Sequence, residues 1–324
     1  MVVLSLLQHH PYTCCAGSIK QQHPNAPHRL GRCLRAQLVD SQQLAPSTAS
    51  SSSSYDSEPV AGVLLDIDGV VCCGNKCGNQ AIPGAADVIK HLKAAGVPYK
   101  FVTNTTTDKR AGVAARLAAS GIPCSAEDIL NPAVCAAMYI KEHNLGPVAL
   151  FVAPALLPDF EGCPLLPDGV ESGAAAVVIG DMGADWSYET LNRAFRLMMQ
   201  QPTPQLLSLG KSRYYMAPDG LSLDVGPFTS ALEYATGTSA VVLGKPASSV
   251  FHLAAQSLGL KPEQVVMVGD DVVGDVGGAQ DAGCRGILVR TGKYRAGDEA
   301  GAVAPAAVLT SVALLPEWLA QQGQ

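Results

Sequence analysis

The sequence predicts an α/β fold built on a mostly parallel sheet, and three observations predict it. From residue 59 onward, short apolar runs alternate with amphipathic stretches, the pattern of parallel strands joined by crossover helices. Those runs are predominantly apolar, as strands buried on both faces require. Several of them end in acids, hydroxyls or a lysine, and open parallel sheets bind ligands beyond the carboxyl ends of their strands.

Taken in order, strands are expected at residues 60–66, 99–103, 148–152, 175–180, 205–209, 240–243, 265–269 and 286–289, bounded by Gly, Pro or charged residues. Between them, Ala85, Val88, Ile89 and Leu92 form one helical stripe that stops near Gly96. Leu191, Ala194, Phe195 and Met198 form a second stripe after Ser187, a candidate N-cap. The Gly, Pro and Asp clusters at 158–173 and 217–227 are expected as loops within folded structure, and no internal repeat is evident. Residues 56–145 and 240–324 are expected to form a core, with residues 146–239, which carry their own strands and helix, inserted as a cap domain.

With 324 residues, 48% of them hydrophobic, the chain can bury cores for two domains. A net charge of −6 leaves no basic footprint, so no nucleic-acid partner is expected. No apolar stretch approaches the roughly 20 residues of a spanning helix, because the early run 2–7 is cut by Gln8, His9 and His10, and no membrane partner is expected. The ten cysteines are scattered without paired spacing, which reads as free thiols in a reducing compartment. Cys72, Cys73 and Cys77 fit no four-ligand zinc pattern and read as ordinary thiols.

Residues 1–55 carry Lys20, Arg29, Arg32 and Arg35 against one acid, Asp40, and close on the serine-rich run 47–54. That composition suits a transit peptide for an organelle, chloroplast or mitochondrion. A disordered extension of a cytoplasmic protein is the alternative. His9, His10, His23 and His28 lie in this leader, and no catalytic role is expected of them.

Four polar constellations sit at predicted strand ends. Asp66-Ile67-Asp68-Gly69 follows the first strand, and two acids on a chain that turns at a glycine can divide their work. One carboxylate can attack phosphorus while the other gives a proton to the leaving group and later activates water. Thr103 and Asn104 end the second strand before a helix, offering neutral donors suited to phosphate oxygens. Lys245, in Gly244-Lys245-Pro246, supplies a cation that could offset phosphate charge or hold a nucleophile ionised. Asp270, Asp271 and Asp275 crowd the end of the strand 265–269, where like charges repel unless a cation shares the site, and hard oxygen ligands suit Mg2+. Lys211, Arg213, Tyr214 and Tyr215 gather on one cap segment and are candidates for substrate specificity.

The ordered set Asp66 and Asp68, Thr103, Lys245, then Asp270 and Asp275 resembles the four motifs of the haloacid dehalogenase superfamily, over nearly everything from residue 59 to 319. Within it, LSLGKSRYY at 207–215, Asp219-Gly220-Leu221, Gly226-Pro227-Phe228, ALEYA at 231–235, GDDVVGDVGGAQ at 269–280 and TGKYR at 291–295 resemble the phospholysine phosphohistidine inorganic pyrophosphate phosphatases. They are equally similar to the haloacid dehalogenase-like hydrolase domain-containing type 2 proteins. The resemblance implies a Rossmann-like core, a large cap inserted between the second and third motifs, and Mg2+-dependent phosphatase activity.

By the same resemblance, Asp66 would be nucleophile and metal ligand, and Asp68 would give its main-chain carbonyl to the metal and its side chain as acid and base. Thr103, Asn104 and Lys245 would bind the phosphoryl group, Asp270 would complete the metal site, and Asp271 or Asp275 would support the ligands from behind. Animal members carry Ser at the position of Asp68, so this chain stands closer to the superfamily pattern. The leading expectation is hydrolysis of a phosphohistidine, phospholysine or pyrophosphate bond through a phospho-Asp66 intermediate, on a phosphorylated small molecule or phosphoamino acid. A small-metabolite phosphomonoesterase of the sugar-phosphate or phosphoglycolate type, and a catalytically silent phosphate-binding protein, stand as alternatives. A homodimer through the cap follows from family analogy alone.

Overall fold

The computed structural model describes residues 58–74, 80–217 and 220–323, so the expected leader 1–55 and Cys77 lie outside the described residues. The first core segment runs β1 (Gly62–Leu65), α1 (Ala85–Ala95), β2 (Tyr99–Val102), α2 (Arg110–Ala119), β3 (Ile129–Leu130) and α3 (Pro132–Glu142). Next come β4 (Val148–Phe151), β5 (Ala176–Ile179), α4 (Tyr188–Met199), β6 (Gln205–Ser208), β7 (Tyr214–Ala217), β8 (Gly220–Leu223), α5 (Val225–Thr236) and β9 (Val241–Val242). The chain closes with α6 (Ser248–Ser257), β10 (Val265–Gly269), α7 (Gly278–Asp281), β11 (Arg285–Val289), β12 (Ala307–Leu309) and α8 (Leu315–Gln321).

Six strands make one sheet in the order β12-β11-β10-β1-β2-β3, parallel throughout. The chain lays β2 and β3 on one side of β1, then returns to lay β10, β11 and β12 on the other. That reversal puts the topological switch point between β1 and β10, where α/β sheets open a crevice at their carboxyl ends. Asp66 and Asp270 directly follow those two strands.

The strand period of two sorts the apolar residues into two layers. Val63, Leu65, Val266 and Val268 join one cluster with Val88 and Leu92 of α1, Val113 and Leu117 of α2, and Leu315 of α8. Leu64, Val265 and Met267 join the opposite one with α3 and Phe251 of α6. The expected stripe Ala85, Val88, Ile89 and Leu92 is buried, and each such large aliphatic side chain contributes roughly 1.5–3 kcal/mol. Gly96 ends α1 in the left-handed region at φ 70°, and the Val97 N–H reaches back to the Leu92 carbonyl at 2.9 Å. On α4, the Ser187 side chain caps the helix by accepting from the Thr190 N–H.

β4, β5, β6 and β9 form a second parallel sheet, and β7 and β8 an antiparallel hairpin. Val241 and Val242 pair with Leu207 and Ser208, so this sheet runs past residue 240. The cluster 217–227 is no loop, since β8 and the start of α5 fall within it. The layer that joins the two sheets is continuous, with Val178 and Leu207 of the cap in the same buried cluster as Leu64 and Phe251 of the core. No helix among the described residues is long and apolar enough to cross a membrane.

Candidate active site

Asp66 leaves β1 with its N–H still in the ladder, donating to the Val268 carbonyl at 2.9 Å. The chain then turns sharply, the Ile67 carbonyl accepting from the Val70, Val71 and Cys72 N–H groups while Gly69 takes φ 94°. A side chain at Gly69 or at Gly292 would collide with the Asp270 carboxylate, so two bare backbones cradle that acid. The cradle is tied together by the Thr291 hydroxyl, which donates to the Gly69 carbonyl, and by the Lys293 N–H, which donates to Asp270 Oδ2 at 2.6 Å.

Lys245 is the hub of the cleft. Its Nζ lies 2.5 Å from Asp66 Oδ1 and 2.7 Å from Asp275 Oδ1, with all three side chains buried. Burial works against the ammonium, but Asp275 and Asp66 outweigh it and hold the Lys245 pKa above its ordinary value. Burial raises the Asp66 carboxyl, Lys245 opposes that rise and the Asp270 charge adds to it. Asp270 is pushed up to about 6 by burial against the pull of the Lys293 N–H. Asp275 is pushed up to about 6 by burial despite Lys245.

Ligand oxygens of Asp66, Asp270 and Asp275 lie within 4.8 Å of one another, and one lysine cannot offset three buried carboxylates. Asp270 Oδ1 is buried without a hydrogen-bond partner. An orphaned carboxylate oxygen in an all-oxygen cluster fits a hard divalent cation such as Mg2+.

The three acids after β10 take different positions. Asp271 Oδ1 accepts from the Val273 and Gly274 N–H groups at 3.1 and 2.8 Å and so caps the following turn. Those N–H groups and Lys293 hold its carboxyl below the ordinary range in spite of burial. The turn over Val272–Gly277 is wide, with the Val276 N–H reaching the Asp271 carbonyl five residues back, and it carries Asp275 inward onto Lys245. Asp275 thus belongs to the carboxylate cluster itself, while Asp271 stands behind it.

Asp68 sits at the mouth, its side chain 47% exposed, with Oδ1 3.9 Å from Arg116 Nη1 and 3.7 Å from Cys72 Sγ. Thr103 is buried and its hydroxyl lies 3.0 Å from that of Thr105. Asn104 lines the same cleft, with its side-chain amide turned toward the Lys245 main chain. That amide is committed to Lys245, accepting from its N–H at 2.8 Å and donating to its carbonyl at 2.9 Å.

Asp66, Asp68, Thr103, Asn104, Lys245, Asp275 and Lys293 line a cleft of about 260 Å³. Lys211 and Arg213 are not brought there. Lys211 pairs with Glu233 at 2.8 Å and Arg213 packs over the Tyr214 ring, and neither lines the cleft or the cavity that adjoins it. That cavity, about 550 Å³, is lined by Tyr215, Arg116, Asp108, Asp181 and Asp224, of which the sequence singled out Tyr215 alone. Arg116, Asp224 and Lys293 carried no strand-end signal, except that Lys293 lies in the segment TGKYR, whereas Asp181 directly follows the strand expected at 175–180 and was passed over.

Residues 63–163 match the model of the haloacid dehalogenase-like hydrolase family, and residues 242–315 that of the HAD-hydrolase-like family. The chain is 42% identical over 241 residues to the phospholysine phosphohistidine inorganic pyrophosphate phosphatase of Xenopus laevis, covering 74% of this chain and 87% of the relative. It is 42% identical over 248 residues to the haloacid dehalogenase-like hydrolase domain-containing protein 2 of Bos taurus, covering 76% and 90%. Its fold is similar to that of a 4-nitrophenylphosphatase from Thermotoga maritima, with a TM-score of 0.69 at 23% identity over 80% of this chain and 97% of that one.

Proposed function

Given that the chain belongs to the haloacid dehalogenase-like hydrolases and is a phosphatase of that family, we propose that it hydrolyses its substrate through a phosphoryl group carried transiently on Asp66. The observation that carries this reading is Lys245 Nζ bridging Asp66 and Asp275 inside a buried cluster of three carboxylates. A buried acid at a strand end, ion-paired and open to a cleft, supports a nucleophile over an ordinary surface turn.

In the first half-reaction an Asp66 oxygen forms a bond to phosphorus as the bond to the leaving O or N atom breaks, and Asp68 gives that atom a proton. In the second, water attacks phosphorus and loses a proton to Asp68, the bond from phosphorus to Asp66 breaks, and inorganic phosphate leaves. Proton transfer from a positioned carboxyl accounts for on the order of 10²–10⁴-fold. Asp68 suits this role because it borders both the cleft and the outer cavity. Lys245 offsets charge on the phosphoryl oxygens, and the Thr103 hydroxyl is a neutral donor to them. Asp66 and Asp270, with the Asp68 main-chain carbonyl that the resemblance implies, would hold Mg2+, which when bound offsets the charge that carboxylates and phosphoryl group share. Asp275 acts through Lys245, holding the ammonium against Asp66.

The substrate in this reading is a phosphorylated small molecule or phosphoamino acid, with the phosphoramidates in the name of the Xenopus relative as first candidates. Delivery to an organelle by residues 1–55 is part of the same proposal, supported by their acid-poor, serine-rich composition and testable by imaging a fluorescent fusion. Phosphate release from 4-nitrophenyl phosphate, with Mg2+ and with chelator, in the unaltered protein and Asp66→Asn, tests the chemistry. Release that needs Mg2+ and vanishes in the variant supports the reading, and release that survives Asp66→Asn overturns it.

A further inference from the structure

The chain between β2, which ends at Val102, and α2, which begins at Arg110, has no regular structure of its own. Thr103, Asn104 and Thr105 of this segment line the catalytic cleft, and residues 104–108 line the outer cavity. Its first residues are tied down. The Thr103 hydroxyl accepts from the Thr105 N–H at 3.2 Å, and Asn104 is held to the Lys245 main chain. Its far end is held by a different device.

Asp159 is that device, 49 residues beyond Arg110. It follows β4 in the helical turns Pro154–Phe160, whose Leu156 and Phe160 share a buried cluster with Ala133 and Ile140 of α3. Its side chain is 3% exposed, and it lines neither the cleft nor the outer cavity. Asp159 Oδ2 accepts from the Arg110 N–H at 2.9 Å and from the Asn131 side-chain amide at 2.8 Å. The same amide donates to the Asp108 carbonyl at 3.3 Å. Asn131 is itself fully buried and fixed, because its Oδ1 accepts from the Val134 N–H at 2.8 Å and caps α3. One buried carboxylate and one buried amide therefore grip the main chain at Asp108 and at Arg110, and a buried network with its partners satisfied fixes geometry. The start of α2 is committed by the same contact. A free helix N-terminus offers its N–H groups to an anion, but here the Arg110 N–H already serves Asp159.

We propose that Asp159 is a positioning residue for catalysis, holding residues 103–109 through Asn131 and the Arg110 N–H so that the Thr103 hydroxyl stays aimed at the phosphoryl group. This rests on the phosphatase reading, which assigns that hydroxyl to the phosphoryl oxygens. Asp159 touches no substrate. It acts from behind the segment, and it links the turns that follow β4 to the residues that line the cleft.

The test compares Asp159→Ala with Asp159→Asn, at a temperature where thermal scans show each variant folded. Asparagine keeps an oxygen that accepts from both donors and loses only the ion pair of Asp159 with Arg110 Nε, 3.8 Å away and half exposed. Alanine keeps no acceptor. With 4-nitrophenyl phosphate and Mg2+, kcat is expected to fall roughly 10- to 100-fold in Asp159→Ala, the scale of a misplaced reacting group, and to be largely retained in Asp159→Asn. A merely structural carboxylate would lower the unfolding midpoint and leave the kcat of the folded protein in place. Arg110→Pro supplies a second route. It removes the donated N–H at the first residue of a helix, where proline is tolerated, after Lys109, whose ψ of 156° already suits it. Its kcat should fall in the same direction. Unchanged kcat in Asp159→Ala and Arg110→Pro, or a kcat in Asp159→Asn as low as in Asp159→Ala, overturns the clamp and leaves the phosphatase reading standing. If the unaltered protein shows no turnover, calorimetric binding of inorganic phosphate with Mg2+ decides. Binding weakened in Asp159→Ala and retained in Asp159→Asn would keep the clamp and sink the catalytic reading, and equal binding in all three proteins would sink both.

Discussion

The Asn104 side chain grips the main chain of Lys245 from both sides, accepting from its N–H at 2.8 Å and donating to its carbonyl at 2.9 Å. This ties the end of β2 to the segment between β9 and α6, across 141 residues of sequence. The lysine that neutralises Asp66 is therefore positioned by a residue that need not touch substrate through its side chain.

Asn104→Ala is expected to lower kcat on the order of 10²-fold, as small misplacements of a reacting group do. Stability should fall by only about 1–2 kcal/mol, for two partly exposed hydrogen bonds. Steady-state kinetics beside a denaturant titration check both numbers, and a variant with full kcat would show that the clamp does not position Lys245.

Lys245→Met leaves Asp66 and Asp275 buried without their cation. Removing one partner of a buried ion pair costs about 3–5 kcal/mol. Phosphatase activity should be lost, and in chelator the midpoint of thermal unfolding should drop by several degrees. Calorimetric scans of the two proteins measure the drop.

Asp270→Asn gives a prediction with a defined pH sign. The carboxyl is pushed up to about 6 by burial, so its charged form is disfavoured in the metal-free fold. A folded pKa above the unfolded one means that stability falls as pH rises through the window from about 4 to about 6. In chelator, Asp270→Asn should therefore unfold at a higher temperature than the unaltered protein at pH 7.5, and the advantage should vanish near pH 4. Added Mg2+ should raise the midpoint of the unaltered protein and leave that of the variant in place. Thermal scans at the two pH values, with and without Mg2+, decide it.

Thiol chemistry near the site should be slow. Burial pushes the Cys72 thiol up to about 11, and Cys135 and Cys284 up to about 12. Iodoacetamide at pH 8 is expected to leave all three unmodified in the folded protein, as peptide mapping would read. Rapid labelling of Cys72 would favour a redox-sensitive gate instead.

How far the sequence carries can be judged from particular residues. Asp66, Thr103 and Asp270 were legible because each follows a predominantly apolar run, and a parallel sheet places such residues in one crevice. Lys245 was legible for the same reason, although β9 proved to belong to the cap sheet. Two valines read as a strand from local pattern alone, while the choice of partner sheet depends on tertiary pairing. The hairpin β7–β8 was missed because Tyr214, Tyr215, Leu221 and Leu223 are largely exposed and give no inward apolar face. Lys211 misled because its partner Glu233 lies 22 residues away on α5. Spacing could not say which acid after β10 turns inward, since the wide turn at Val272–Gly277 makes that choice. Arg116, Asp181 and Asp224 come from three separate elements and line one cavity only in the folded chain.

The most direct measurement is acid-quenched mass spectrometry of the protein during turnover of 4-nitrophenyl phosphate with Mg2+. A phosphoryl group on the peptide containing Asp66, absent from Asp66→Asn, is the predicted result. Turnover with no phosphorylated Asp66 peptide at any quench time, together with phosphate release by Asp66→Asn, would contradict the account.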